Sequence, residues 1–246
     1  MNLNRTQVAQ LQALMGTILS LGCIQLSHAH VSVTSGTAYA NGYYQVDLSV
    51  PHGCEGADTY RVEVVLPAGF PPVRAVLGPL GYATIEAEAD TGLPTRLTWE
   101  KPEDELLESD SHTYEVSFRT KLPAVEFVRY HFPTTQYCRD TQGVESTAAW
   151  VGINSSHDHG GGSGGADAGE KPAPSLFVYP PRSPGWNQYT APDHLHDMSI
   201  FRDAQIVWKG SAAYSPNPVT QQLIEDDSEA TTLEQIHPGE VFWIKY

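Results

Sequence analysis

The chain has 246 residues, of which 29 are acidic and 14 are basic, so its formal net charge at pH 7 is −15. This acidic balance argues against nucleic acid or anionic lipid as a partner and suits a protein that meets cations. After the N-terminal segment, no apolar stretch approaches the roughly 20 residues that a membrane helix requires, so we expect no transmembrane segment in the exported chain.

Residues 1–29 are typical of a secretory signal. They contain one basic residue, Arg5, and no acid, and an apolar run follows it. Ser27 and Ala29 are small residues at the −3 and −1 positions of a signal-peptidase site. We therefore predict cleavage after Ala29, which makes His30 the first residue of the mature chain and places the protein in the periplasm.

A lipoprotein signal that ends at Cys23 is the alternative. It would attach lipid to Cys23 and leave His30 inside the chain. Ser20 stands where such a signal usually has leucine, so cleavage after Ala29 is favoured.

Two cysteines, Cys54 and Cys138, remain after removal of the signal. An even pair in an exported protein predicts a disulfide. The alternative is a pair of thiolate ligands for a soft metal ion.

From residue 30 to residue 151, apolar or β-branched side chains recur at every second position, and turn residues with prolines separate the runs. This alternation is typical of half-buried strands. The predicted strands are residues 30–34, 43–50, 60–66, 83–89, 95–99, 113–120, 125–131 and a short strand that ends at residue 151. The sequence therefore predicts an all-β fold, an immunoglobulin-like antiparallel β-sandwich over residues 30–153.

Residues 154–174 have the composition of a flexible linker of glycine, serine and histidine. Residues 175–246 follow as a small β-containing extension of unknown role, with strands predicted at 176–179, 205–209 and 241–246. The extension holds three of the five tryptophans, which indicates that it is ordered.

His30 has a chemical property that an internal histidine lacks. As the first residue, it offers one metal ion both its α-amine and its ring Nδ1. Nitrogen ligands suit Cu(II), which also stands at the top of the affinity order of the divalent first-row ions. The sequence therefore predicts copper as the bound ion, with an affinity that falls below neutral pH because the α-amine must lose its proton.

Four segments in this order resemble the YcnI-like family of exported copper-binding proteins. They are residues 30–33 (HVSV), 51–56 (PHGCEG), 110–119 (DSHTYEVSFR) and 132–138 (FPTTQYC), the last leading to Trp150. The resemblance covers about residues 30–151. It implies an immunoglobulin-like sandwich that binds Cu(II) through a single-histidine brace.

In that resemblance His30 is the bidentate ligand, Glu115 supplies a carboxylate and Trp150 is the aromatic residue beside the metal. The segment before Trp150, residues 140–149, is longer than the family pattern. Without the resemblance, Glu115 would be taken as a solvated residue and Trp150 as part of the core.

Two further histidine groups are candidates for metal binding. His157 and His159 lie in the predicted linker. His194 and His196 alternate on an extended segment and are followed by Met198, which together make a candidate second copper site. The alternative is a polar loop with two ordinary histidines.

These observations predict a periplasmic copper-binding protein that is not an enzyme. It would sequester Cu(II) or pass it to a copper-accepting or copper-transporting membrane protein. The alternatives are a copper-dependent oxidase or monooxygenase that uses the same site, and a metal-free immunoglobulin-like interaction module. The sequence contains no Ser-His-Asp nucleophile signature and no phosphate-binding glycine loop.

Overall fold

The computed structural model of the chain describes residues 30–153 and 171–246. Strands dominate both parts. The first part contains β1 Ser32–Val33, β2 Ala38–Tyr39, β3 Tyr43–Val50, β4 Asp58–Val65, β5 Val73–Ala75, β6 Ala83–Ala87, β7 Pro94–Glu100, β8 Tyr114–Lys121, β9 Val128–His131, β10 Thr134–Arg139 and β11 Glu145–Gly152. The second part contains β12 Lys171–Pro172, β13 Ser175–Tyr179, β14 Trp186–Thr190, β15 Ile206–Lys209, β16 Ala212–Tyr214, the helix α1 Pro218–Asp226, β17 Thr231–Thr232 and β18 Val241–Lys245. Short 3₁₀ turns lie at Glu103–Glu105 and Met198–Phe201.

Two sheets form the sandwich. Sheet I has the strand order β1-β3-β8-β5, and sheet II has the order β12-β11-β10-β4-β7-β6. All neighbours in these sheets are antiparallel except β11 and β12. The apolar residues of both sheets belong to one buried cluster, which confirms the predicted all-β sandwich.

Strict alternation along the strands decides which side chains enter this core. On β3, Val46, Leu48 and Val50 are fully buried, and the residues between them face outward. On β8, Val116 and Phe118 are buried in the same way. The outward positions of sheet I are therefore open to carry polar groups, and Glu115 occupies one of them.

Strand β13 lies between the sandwich and the C-terminal part. It pairs with β2 and β9 in a small third sheet. Leu176 and Val178 belong to the sandwich core, whereas Phe177 and Tyr179 pack against a second core. Because alternate residues of one strand enter both cores, residues 175–246 are joined to the sandwich by packing.

The second core fills the C-terminal part. A five-stranded sheet with the order β14-β18-β15-β16-β17 covers it, and its buried residues include Val207, Phe242 and Ile244. Helix α1 flanks the sheet. Asn217 caps this helix by accepting hydrogen bonds from the first turn, and proline at the first helical position continues it without losing a hydrogen bond.

Cys54 and Cys138 form the predicted disulfide, with their Cα atoms 5.6 Å apart. The pair is therefore not a thiolate metal site. In residues 30–153 and 171–246, no helix combines the length and apolar character needed to cross a membrane.

Candidate metal centre

The register of sheet I places the first strand and Glu115 on one face. Ser32 is opposite Ser49 on β3, and Ser49 is opposite Glu115 on β8. His30 precedes Ser32 by two residues, and Val31 between them is buried while His30 and Ser32 are exposed. By the alternation of an extended chain, His30 and Glu115 therefore lie on the same outer face of sheet I.

The register places the two predicted ligands in different rows of that face. Strand β3 lies between β1 and β8, so two strand spacings separate the rows, roughly 9.5 Å. His30 lies two residues further along the strand direction, which adds about 7 Å. On ideal strand geometry these offsets separate the Cα atoms by about 12 Å. His30 precedes β1, so its backbone is not bound to that geometry, and a shared ion needs the terminus to turn across β3 towards β8.

The loops beyond His30 carry further polar side chains. In the register of β3, the position opposite His30 is Pro51, whose carbonyl accepts a hydrogen bond from the Thr113 hydroxyl at 3.0 Å. His52 follows Pro51, and its Nδ1 lies 3.8 Å from a carboxylate oxygen of Asp110. The other Asp110 oxygen accepts a hydrogen bond from the Gly53 amide at 2.5 Å. These contacts join the two loops at this end of the sandwich.

Contacts from β10 hold the loop that contains His52 in place. The disulfide ties Cys54 to Cys138 on β10. The side-chain amide of Gln136 donates to the carbonyl of His52 and to the hydroxyl of Thr59, both at 2.6 Å. Gln136 and Thr59 are fully buried. These contacts fix the loop that contains His52 at the end of the sandwich next to His30.

A buried polar triad lies directly beneath Glu115. Tyr114, the preceding residue on β8, donates its hydroxyl hydrogen to Asp58 on β4 at 2.7 Å. The ammonium of Lys101 forms an ion pair with Asp58 and donates to the Tyr114 oxygen at 2.9 Å. Because Tyr114 is in sheet I and Asp58 is in sheet II, the triad joins the two sheets at the position that carries Glu115.

The charge states of the triad follow from these contacts. Burial opposes ionisation of Asp58, but hydrogen bonds from Lys101, the Leu107 amide and Tyr114 outweigh it and lower the pKa of this carboxyl. Burial and the neighbouring Asp58 carboxylate raise the pKa of Tyr114, so its phenol stays protonated and remains a donor. Asp58 is thus ionised, and its carboxylate accepts hydrogen bonds from the Lys101 ammonium, the Leu107 amide and the protonated phenol of Tyr114.

Trp150 lies on β11 in sheet II, and its side chain is 2 % exposed within the sandwich core. The ammonium of Lys171, its neighbour on β12, lies 4.9 Å from the centre of a Trp150 ring. Trp150 and Glu115 are thus on different sheets. Trp150 is part of the core, which is the position expected for it without the resemblance.

The structure does not bring the candidate ligands His194, His196 and Met198 together. His194 lies against His237, with 3.2 Å between their Nδ1 atoms. His196 is exposed two residues further along, and Met198 packs against the second core. His157 and His159 lie outside the described residues. Within residues 30–153 and 171–246, no three histidine, cysteine or acidic side chains converge as a metal site.

Sequence reasoning missed His237 and the triad. His237 is 43 residues from His194, so no local spacing connects them. Asp58, Lys101 and Tyr114 are likewise far apart in sequence, and no local pattern connects them.

A family model described as a domain of unknown function, DUF1775, matches residues 30–178. A protein from Nocardia farcinica with an immunoglobulin-like fold is 24 % identical, covers 61 % of this chain and 98 % of its own, and has a TM-score of 0.44. A cohesin module from a Clostridium perfringens family 33 glycoside hydrolase is 9 % identical, with 62 % and 96 % coverage and a TM-score of 0.36. A non-cellulosomal cohesin from Archaeoglobus fulgidus is 10 % identical, with 61 % and 91 % coverage and a TM-score of 0.32. No curated protein matches the chain.

Proposed function

The chain belongs to the DUF1775 family, which includes YcnI-like proteins, and we propose that it is an exported protein that binds Cu(II) at His30. The observation that supports this proposal is the shared outer face of the first strand and Glu115 in sheet I. Copper is the cargo in this proposal, and the protein sequesters it or hands it to a copper-accepting membrane partner.

The donor set fits the ion. Once the signal is removed after Ala29, His30 supplies an amine and an imidazole nitrogen, and Glu115 supplies an anionic oxygen. Nitrogen and carboxylate ligands in a tetragonal arrangement suit Cu(II). The buried triad holds Tyr114 on β8 to the facing sheet, which keeps the adjacent Glu115 in place.

Exposure of both ligands favours exchange of the ion. His30 and Glu115 are each open to solvent, so an incoming ligand from a partner protein can reach the copper without unfolding the site. A transfer by ligand substitution needs no general acid or base, which agrees with a binding protein rather than an enzyme.

The test uses the chain that begins at His30, titrated with Cu(II) by calorimetry at neutral pH. Acetylation of the His30 α-amine converts it to an amide, and we expect the affinity to fall by at least about a hundredfold. Glu115→Gln removes the anionic ligand, and we expect a loss of at least about tenfold, which corresponds to about 1.4 kcal/mol. The loss caused by blocking the amine should shrink as the pH falls, because protonation of the α-amine, with an ordinary pKa of about 7.7 to 8.0, already weakens the parent. The loss in Glu115→Gln should not depend on this proton, because that variant and the parent carry the same amine.

Glu100→Gln is the matched control. Glu100 is also an exposed glutamate at a strand position, but it lies on β7 in sheet II. Its replacement should leave copper affinity unchanged. Equal affinity of the parent and the acetylated chain would refute binding through the terminal amine.

A further inference from the structure

Two histidines far apart in sequence meet on the surface of the C-terminal part. The Nδ1 atoms of His194 and His237 are 3.2 Å apart. Their ring centres are 4.7 Å apart, and the ring planes are nearly perpendicular, at 86°. The Nδ1 atom of each ring, one of its two possible metal-binding nitrogens, therefore lies next to that of the other ring.

The backbone explains this approach. Leu195 and Ile236 form an isolated antiparallel bridge and exchange both of their amide hydrogen bonds, each at 2.9 Å. Both side chains are buried, so they point into the second core. His194 and His237 are the next pair in the same register and point outward. Such a pair, flanking a hydrogen-bonded one, brings side chains to their closest approach in an antiparallel ladder.

Hydrogen bonds on both segments hold the pair in place. The carboxylate of Asp193 accepts a hydrogen bond from the His194 amide at 2.7 Å. The carboxylate of Glu240 accepts from the His237 amide at 2.7 Å and from the Lys209 ammonium, also at 2.7 Å. Both acids thus bind the backbone amides of the histidines. These hydrogen bonds hold the backbone of the pair in place before a ligand binds, which lowers the entropic cost of binding.

Imidazole chemistry limits what this pair can bind. A neutral histidine has one donor and one acceptor nitrogen, so a single proton can lie between the two Nδ1 atoms. A metal ion in place of that proton would use the lone pairs of both rings. With metal–nitrogen distances of about 2.0 to 2.1 Å, a separation of 3.2 Å gives a nitrogen–metal–nitrogen angle of roughly 100 to 106°, close to the tetrahedral value.

We propose that His194 and His237 form a binding site for a divalent first-row transition ion, zinc or Cu(II), distinct from the site at His30. Imidazole is a preferred ligand for both ions. In the part of the chain that the structure describes, no third histidine, cysteine or acid completes the group, so water or a ligand from another molecule fills the remaining positions. His237, rather than His196, is the partner of His194.

The experiment uses the full exported chain with the α-amine of His30 acetylated. Acetylation blocks the terminal amine, so the result does not depend on whether copper binds at His30 through that amine. Zn(II) and Cu(II) are titrated separately by calorimetry, and the two arms identify which ion the pair takes. We expect one equivalent of at least one of these ions to bind to the parent.

Three single variants then locate the site. His194→Ala and His237→Ala should each weaken binding by at least about tenfold, whereas His196→Ala, an exposed neighbour on the same segment, should stay within about twofold of the parent. Thermal unfolding without metal confirms that each variant is folded, and His237→Gln replaces the alanine variant if the latter is not. A parent that binds neither ion, or unchanged binding in a folded His237 variant, would overturn the proposal.

Discussion

Replacement of Lys101 by methionine tests whether the buried triad holds the two sheets together beneath Glu115. Lys101 and Asp58 are almost completely buried, with 3 % and 1 % of their side chains exposed. Methionine keeps the length and apolar volume of the lysine stem but removes the charge. Asp58 would then retain a buried carboxylate with hydrogen bonds from Tyr114 and the Leu107 amide only.

The size of the effect follows from the burial. Breaking a buried ion pair from one side costs about 3 to 5 kcal/mol, because the remaining charge is desolvated and uncompensated. For a chain of this size each kcal/mol lowers Tm by about 2 to 4 °C, so we expect a decrease of roughly 6 to 20 °C. Asp58→Asn combined with Lys101→Met removes the orphaned charge as well, and the double variant should be more stable than Lys101→Met alone.

The effect should also depend on pH. In the parent, the pKa of Asp58 is below its ordinary value, so its contribution to stability is complete above the unfolded value of about 3.9 and is lost as pH falls through the folded pKa. In Lys101→Met the ammonium is gone and burial raises the pKa of Asp58, so the carboxyl takes up a proton at higher pH than in the parent. The stability difference between the two proteins should therefore narrow as pH falls from 7 towards 4.

Chemical denaturation followed by circular dichroism at several pH values measures these differences. Lys121→Met, an exposed lysine on β8, is the control and should change stability by no more than about 0.5 kcal/mol. A loss below about 1 kcal/mol for Lys101→Met at pH 7, or a difference that does not vary with pH, would refute the assignment of a structural ion pair.

Two further sets of substitutions test the disulfide and the packing of Phe127 against the second core. Cys54→Ser together with Cys138→Ser opens a bridge between residues that are 84 positions apart, and the unfolding free energy should fall by up to about 4 to 5 kcal/mol in the chain-entropy model; a reducing agent should then destabilise the parent but have no effect on the variant. Phe127→Ala removes a buried ring that contacts aromatic rings of the second core, at a cost of about 3 to 5 kcal/mol. Limited proteolysis should then cut the C-terminal part faster, while Val125→Ala, at a more exposed position, should leave the digestion rate unchanged.

The alternation of apolar residues was sufficient to predict those strands that have one apolar face. Residues 43–50 were predicted as a strand, and β3 has those bounds. Strand β10, Thr134–Arg139, was missed because its inward residues are Thr134, Gln136 and Cys138, all fully buried. Hydropathy cannot reveal a strand whose core face consists of a threonine, a glutamine that donates long-range hydrogen bonds and a disulfide cysteine. That face is also the one that supports the His52 loop.

Helix α1 was missed for a related reason. Asn217 and the proline after it are recognisable start signals, but only Ile224 of the helix is buried. A single buried residue produces no helical periodicity. Strand β13 shows the opposite case, because residues 176–179 are apolar on both faces and were correctly expected to form a strand. Which core each face enters depends on pairing with β2 and β9, and local sequence does not carry that information.

The position of β1 at the edge of sheet I makes the site at His30 sensitive to the signal cut. Ser32 and Val33 pair with β3, the Thr34 amide donates to the Asp47 carbonyl, and Val31 is buried immediately after His30. The chain is thus anchored from Val31 onward, and in the proposed site His30 is the residue that turns towards Glu115. Ordering one residue costs about 1 to 2 kcal/mol of backbone entropy, which is small beside the contribution of two nitrogen ligands. Acetylation of the His30 amine leaves the imidazole as the only nitrogen ligand to offset that cost.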